Sequence, residues 1–404
     1  MNSEYRASTW GDEISLEYGK GLRGYKGAEG PIPVFGTNGQ VGWTDKALAL
    51  GPGIILGRKG AYRGINYSKD PFFVIDTAYY VKPKTDLNMR WLYYAMIHHR
   101  LGFIDDGSPI PSTTRAAVYI REVDVPVPES QTTIAKILGD LDDKINLLRG
   151  MNATLEDISQ SIFRAWFVDF KPVRAKAAGA TSFRGMPQEL FDALPNSFED
   201  SEIGEIPTGW KIKPLDSIAD FLNGLAMQKH RPKSGEDSLP VIKIAELRKG
   251  ISGRTDKASI SIPEKYIISD GDFIFSWSGS LLAKFWTEGD GALNQHLFKV
   301  TGRDHPIWFV ASWIWVHLQN FQDIAASKAT TMGHIQRKHL SDAMIVRPSS
   351  KILKQMTVLM EPFIAKQITN ELEAHTLSSL RDTLLPKLIS GEIKAPHFEA
   401  LTDG

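Results

Sequence analysis

The stretch Ile134-Ala135-Lys136-Ile137-Leu138-Gly139-Asp140-Leu141-Asp142-Asp143-Lys144-Ile145 decides the fold. It has no proline, and Ile134, Leu138, Leu141 and Ile145 are separated by 4, 3 and 4 residues. That is the heptad spacing of a helix face made to pack on another helix. The pattern continues through Leu148, Leu155, Ile162 and Trp166, with Asn152 and Ser159 as polar gaps, so the spacing predicts one helix over 131–168. At about 1.5 Å per residue it would reach about 57 Å, too long to cover a single small domain. A second such segment places Ile352, Met356, Leu359 and Phe363, then Leu377, Leu380 and Leu384, on a similar frame with Leu388 beyond. Pro362 should bend or open that helix. The two segments are natural partners. Asn152 and Asn370 both fall in the seams, where a lone polar residue can fix register. Two unpaired amphipathic helices, each covering its own domain, are the alternative.

Working outward, the chain repeats itself once, with Pro128 and Pro348 marking equivalent points 220 residues apart. Gly53-Ile54-Ile55-Leu56 is answered by Gly271-Asp272-Phe273-Ile274-Phe275, and Asp76-Thr77-Ala78-Tyr79-Tyr80-Val81 by Asn294-Gln295-His296-Leu297-Phe298-Lys299-Val300. Aromatic helical stretches follow at 91–96 and 308–315, then Ser/Thr-rich loops at 107–115 and 327–336, then short strands closed by proline. The order of features, rather than identity, carries the repeat. The expected architecture is α+β: two mixed α/β globules separated by two long antiparallel helices in a pseudo-two-fold tandem. The boundaries are a first globule at 1–128, a first helix at 129–171 and a linker at 172–208. A second globule at 209–348, a second helix at 349–390 and a tail at 391–404 follow. The linker, rich in Ala, Gly, Pro and acids, reads as a surface connection.

With 404 residues, 42% hydrophobic and 23% charged, the chain is globular in composition and long enough for two or three domains. Having no cysteine, it has no disulfide framework, thiolate zinc site or thiol nucleophile, which fits a reducing compartment. The longest uncharged apolar run, 307–316, falls short of the roughly 20 residues of a membrane helix, and MNSEYRASTW lacks a signal-peptide core. A soluble cytoplasmic protein is expected. The net charge is zero, but 46–69 carries Lys46, Arg58, Lys59, Arg63 and Lys69 and no carboxylate.

No catalytic site is legible. Gly204-Glu205-Ile206-Pro207-Thr208-Gly209-Trp210-Lys211 has Trp where a phosphate loop requires Lys. Asp70-Pro71-Phe72-Phe73 reads as a strand-entry turn, and Glu392-Ile393-Lys394 lacks the rest of a nuclease motif. His98 and His99 are adjacent and so point to different helix faces. No metal site is expected.

The polar loops are better suited to a nucleic acid. Hydroxyl, amide and cationic side chains read base edges and hold phosphates. The first loop supplies Ser108, Ser112, Thr113, Thr114 and Arg115, stiffened by Pro109 and Pro111; the second supplies Lys328, Thr330, Thr331, His334 and Gln336. A glycine-flanked element offers Arg58, Lys59, Tyr62 and Arg63, with Thr37 and Asn38 as further candidates, and its counterpart offers Trp277 with Asn294, Gln295 and His296. The basic span 46–69 is expected mainly to contact phosphates. Each loop alone could equally be an exposed turn; the recurrence of both loop types favours binding.

The stretch 134–145, continued by Met151-Asn152-Ala153-Thr154-Leu155-Glu156 and Ala165-Trp166-Phe167-Val168-Asp169-Phe170, resembles the central helix of specificity subunits of type I restriction-modification systems. The loops 107–115 and 329–336 and the closing Leu384-Leu385-Pro386-Lys387-Leu388-Ile389-Ser390-Gly391-Glu392-Ile393 are similar to that family too, and the resemblance covers nearly the whole chain. It implies two target-recognition domains, each reading half of a split, asymmetric double-stranded DNA sequence. It implies two modification subunits that methylate adenine at N6 with S-adenosylmethionine, and ATP-dependent restriction subunits that use magnesium. This chain would then be non-catalytic, with cofactors only on its partners. A coiled-coil scaffold binding proteins alone is the competing reading.

Overall fold

The computed structural model describes residues 5–60, 62–105, 107, 111–327 and 333–394. The chain divides into two compact units, Met1–Ile145 with Thr376–Gly404, and Asn146–His375. The division falls inside both long helices, Pro128–Phe163 and Ser350–Ile389, so each unit contains one end of each helix rather than a globule alone.

In the first unit, strands Ile14–Tyr18, Ala78–Pro83, Gly53–Gly57 and Ile65–Ser68 form an antiparallel sheet in that spatial order. Gly53–Gly57 is buried along its whole length, as a central strand covered on both faces must be. A smaller sheet pairs Ile32–Gly36 with Gly39–Thr44 and, in parallel, with Phe73–Val74. Tyr5–Thr9 pairs antiparallel with Glu122–Pro126, the strand that leads into the first long helix. Helix Met89–His98 starts at Asn88, whose side chain accepts from the Arg90 and Trp91 amides, satisfying two of the free donors at a helix start. Its Trp91, Leu92 and Ala95 enter one core with Trp10, Ile54, Leu56, Ile134, Leu138, Leu385 and Leu388. The helix ends therefore complete the hydrophobic core.

The second unit repeats this plan. Ala219–Asn223, Leu297–Gly302, Phe273–Ser276 and Ala283–Phe285 form the equivalent sheet, and Lys211–Pro214 pairs with Met344–Arg347. Ser238–Ile242 and Gly291–Leu293 form the parallel pair of the smaller sheet. Helix Ile307–Ser327 stands where Met89–His98 stands in the first unit and is 21 residues long rather than 10. No described helix is long and apolar enough to cross a membrane.

Within each unit the two helix segments run in opposite senses. In the first, Arg381 Nη1 donates to Asp142 Oδ1 at 2.6 Å, while the earlier Ile134 and Leu138 share a core with the later Leu385, Leu388 and Ile389. In the second, Asn370 Nδ2 donates to Asn152 Oδ1 at 2.9 Å, and the later Phe163 lies in one core with the earlier Ile352 and Met356. Asn152 also donates to the Gln367 carbonyl at 3.0 Å. Both polar gaps of the first helix turn inward, Ser159 being buried and Asn152 half-buried.

Three expectations need correction. Pro362 neither opens nor interrupts its helix, which is continuous over Ser350–Ile389 with Pro362 exposed on its outer face. The seam of that helix is not the heptad through Leu359, Phe363 and Leu380. Met360, Ile364 and Ala374 are buried, and Leu380 is 46% exposed. Four-residue steps from Ile352 to Ile364 follow the α-helical period over a core rather than a heptad. Nor is 172–208 a surface connection. After a π-helical turn at Arg164–Val168, Val173, Met186, Leu190, Phe191 and Leu194 enter the second core beside Phe167 and Trp210.

Candidate nucleic-acid interface

In the first unit, the turn after Gly53–Gly57 meets the polar loop through backbone hydrogen bonds. The Thr113 amide donates to the Arg58 carbonyl and the Gly60 amide to the Pro111 carbonyl, both at 2.9 Å, with Lys59 opposite Ser112 in an antiparallel bridge. Thr37 joins the group by donating its hydroxyl to the Lys59 carbonyl at 2.6 Å. A Cβ on Gly57 would lie 2.1 Å from the Thr37 carbonyl oxygen, so glycine alone permits this approach. Asn38 and Tyr62 are exposed beside it.

Two of the candidate residues face inward. Arg63 is buried, and its guanidinium donates to the carbonyls of Gly102, Gly60 and Ile104 at 3.1, 2.6 and 2.9 Å. Thr113 has no exposed surface and donates to the Ile104 carbonyl at 3.2 Å. Both hold the loops together from beneath. Thr114 caps helix Arg115–Tyr119 by accepting from the Ala117 amide.

Arg58 and Arg115 remain at the rim. Their guanidinium carbons lie 5.1 and 4.2 Å from the centre of the Tyr18 ring, and both are 5.9 Å from Tyr79. Each Nε is buried without a hydrogen-bond partner among the described residues. Burial, and then the bond with Tyr18, push the Tyr79 phenol up to about 12, although the two arginines pull it down. The phenol therefore stays neutral, and the site is a pair of cations on a neutral aromatic floor.

The second unit builds the same junction from different side chains. The Ile335 amide donates to the Trp277 carbonyl at 3.0 Å and the Gly279 amide to the Gly333 carbonyl at 2.7 Å, with Ser278 opposite His334. Trp277 Nε1 donates to Asn223 Oδ1 at 2.9 Å and to the Gln295 carbonyl at 3.2 Å. The Ser278 hydroxyl is 3.0 Å from His296 Nδ1. Asn294 is buried, its amide on the Ile242 carbonyl, whereas Gln295 and His296 are half-buried and help to line a cavity of about 570 Å³ with Gln228, Arg231 and Lys257. Gln336 is exposed at the start of helix Arg337–Asp342. The candidates Ser108, Lys328, Thr330 and Thr331 lie outside the described residues.

Sequence reading missed Tyr18, Tyr79, Asn223 and Phe298, which make the floors, and Arg337, which stands where Arg115 stands. Their signal was register: Tyr18 pairs with Tyr79 and Asn223 with Phe298 at the ends of equivalent strands. Among the described residues no group of three or more His, Cys, Asp and Glu is placed to hold a metal ion.

Comparisons with known proteins agree with this duplication. Residues 28–157 and 207–374 match the family described as Type I restriction modification DNA specificity domain. The chain is 24% identical over 413 residues to the Type I restriction enzyme MjaIX specificity subunit of Methanocaldococcus jannaschii, covering 96% of this chain and 89% of that one. It is 26% identical over 331 residues to the Type I restriction enzyme HindI specificity subunit of Haemophilus influenzae, covering 70% and 71%. In fold it is similar to the crystal structure of the type I restriction-modification S subunit from M. genitalium, with a TM-score of 0.61 at 15% identity, over 96% of this chain and 97% of that one. One matched stretch contains the first candidate junction apart from Tyr18 and the other contains the second, and the chain belongs to the family of type I restriction-modification DNA specificity proteins.

Proposed function

We propose that this chain is the DNA-reading subunit of a type I restriction-modification system, each unit reading one half of a split, asymmetric target. In this reading it directs adenine-N6 methylation by two modification subunits and cleavage by restriction subunits. S-adenosylmethionine, ATP and magnesium act on those partners and the chain itself performs no chemistry. The supporting observation is the doubled junction. In both units a sheet-end turn and a polar loop are locked by the same pair of backbone hydrogen bonds, with different side chains on the same frame. Anchoring the described ends of the loops lowers the ordering cost of binding, and unlike side chains on like frames suit two unlike half-sites. The duplex hides its adenines, so extrusion of the target base falls to the methylating partner.

The test is to reconstitute the chain with its modification subunits and titrate duplex DNA at rising salt, alongside a genome-wide map of methylated adenines in cells with and without the chain. A bipartite methylation motif that vanishes with the chain, and binding that weakens steeply with salt, are expected. A complex that assembles but binds all duplexes alike, or none, would leave a protein-binding scaffold instead.

A further inference from the structure

The two junctions correspond position by position in backbone pairing and sheet register, and this separates what they share from what they do not. Backbone pairing makes Arg58 equivalent to Trp277, and the residues two beyond Thr113 and Ile335, Arg115 and Arg337, equivalent to each other. Sheet register makes Tyr79 equivalent to Phe298 and Tyr18 to Asn223. The geometry agrees closely. Arg58 and Arg115 are both 5.9 Å from Tyr79; Trp277 and Arg337 are 5.9 and 5.8 Å from Phe298.

One member of each pair is an arginine in both units. The other changes from Arg58 to Trp277, and the floor residue it touches changes with it, from Tyr18 to Asn223. A DNA backbone is the same at every half-site, so contacts to it can stay the same in two unlike readers. A contact that reads sequence must differ between them.

Resting on the bipartite-reader proposal above, we infer that Arg115 and Arg337 are phosphate anchors, whereas Arg58 and Trp277 determine specificity, Arg58 by pairing with the O6 and N7 edge of a guanine. The tyrosine floor lies under Arg115 as well as Arg58, at 4.2 and 5.1 Å from Tyr18, so it supports both forks; what singles out Arg58 as the reader is that the second unit has Trp277 in its place. Arg58 has no carboxylate or hydrogen-bonding partner on its side chain among the described residues that would have to be displaced. Planar bidentate pairing with guanine is the commonest specific arginine contact in the major groove. Trp277 cannot do the same. Its only donor is already held by Asn223 and the Gln295 carbonyl, so it presents apolar ring surface, which suits a thymine methyl. The two modules would then differ at the base facing this position, with guanine excluded from hydrogen-bonded reading in the second.

The experiment uses the full chain with its modification subunits and duplexes carrying the mapped methylation motif. One half-site should contain a guanine whose replacement by 7-deazaguanine, which lacks N7, weakens wild-type binding about ten- to a hundredfold and leaves R58A binding unchanged. R58Q should shift preference at that position toward adenine. R337A should weaken all duplexes alike and lower the salt slope by about one. A first half-site without guanine, an equal 7-deazaguanine penalty in wild type and R58A, or an R58A loss uniform across sequences would overturn the assignment. The wild-type measurement stands even where a variant fails to fold. A wild-type complex that discriminates no duplex would overturn the bipartite reading itself, a result distinct from these.

Discussion

The junction between the sheet-end turn and the helix end is closed from opposite sides in the two units. In the first, the turn reaches inward: Arg63 donates to Gly102 and Ile104, which follow the short helix Met89–His98. In the second, the helix is longer and reaches outward: Gln322 donates to the Leu281 carbonyl of the turn at 3.0 Å, and the Leu281 side chain lies in the core. One solution buries a cation among neutral carbonyls; the other buries a leucine and uses a neutral amide. A buried cation satisfied only by carbonyls is expensive to form and more so to break, because removing it orphans several acceptors at once. The same loop geometry thus rests on a brittle support in one unit and a forgiving one in the other.

Arg63→Ala tests this most severely. It leaves three carbonyls without their donor and opens a void, so a loss of about 3 kcal/mol from the first unit is expected. Hydrogen exchange in urea should show 53–68 and 101–105 losing protection while the second unit's sheet keeps its own. A loss spread evenly over both units would show that the support is not local.

Acid should separate the units in the same direction. Glu13 is buried and accepts from Arg6 Nη2 at 2.8 Å, with Ser8 and Thr85 also donating; the Arg6 bond, more than any other contact, holds its carboxyl down to about 2. The folded pKa lies below the unfolded one, so the stabilisation is complete above about pH 4.5 and fades as pH falls toward about 2. Because Arg6 is half exposed to solvent, its worth is about 2 kcal/mol. Ile218 fills the equivalent position, its carbonyl accepting from Arg303 as that of Glu13 accepts from Lys84. The first unit should therefore unfold earlier in an acid titration, and E13Q should flatten its pH dependence. Equal acid midpoints for the two units would refute the assignment.

How much of this was legible follows from the range of each signal. The first long helix could be read because Ile134, Leu138, Ile145 and Leu148 repeat on one face, and all four are buried. The second was legible as a helix over 349–390, but its seam was not, because its core-facing residues Ile352, Met356, Met360 and Ile364 step by four and then give way to Asn370 and Ala374, which carry little hydrophobic signal. The tandem repeat was visible as an order of features, whereas the floors of the two sites were not. Tyr18 and Tyr79 meet only through strand register, a non-local property. Arg63 reads as a surface cation beside Lys59, and nothing local distinguishes the one that folds inward.

The helix seam offers a smaller contrast, between a polar pair and its apolar surroundings. Asn370 is fully buried and its amide donates to Asn152. N370A alone orphans the Asn152 carbonyl oxygen and should cost about 1–2 kcal/mol in equilibrium unfolding. Replacing both residues by leucine removes donor and acceptor together, so the double variant should be more stable than N370A. A double variant less stable than the single one would mean that the pair contributes net stability and not only register.

The mildest change is Gln322→Ala, which removes one hydrogen bond from the Leu281 carbonyl and leaves the leucine side chain buried. About 1 kcal/mol is expected, because a single, partly buried, neutral bond is at stake. This measurement calibrates the one on Arg63. If the two losses are alike, then a buried cation and a neutral amide support their loops equally, and the brittleness ascribed to the first unit must come from elsewhere. If they differ about threefold, then the turn of the first unit is the one whose sequence is least free to drift, since it must keep an arginine at 63 whatever its exposed neighbours become.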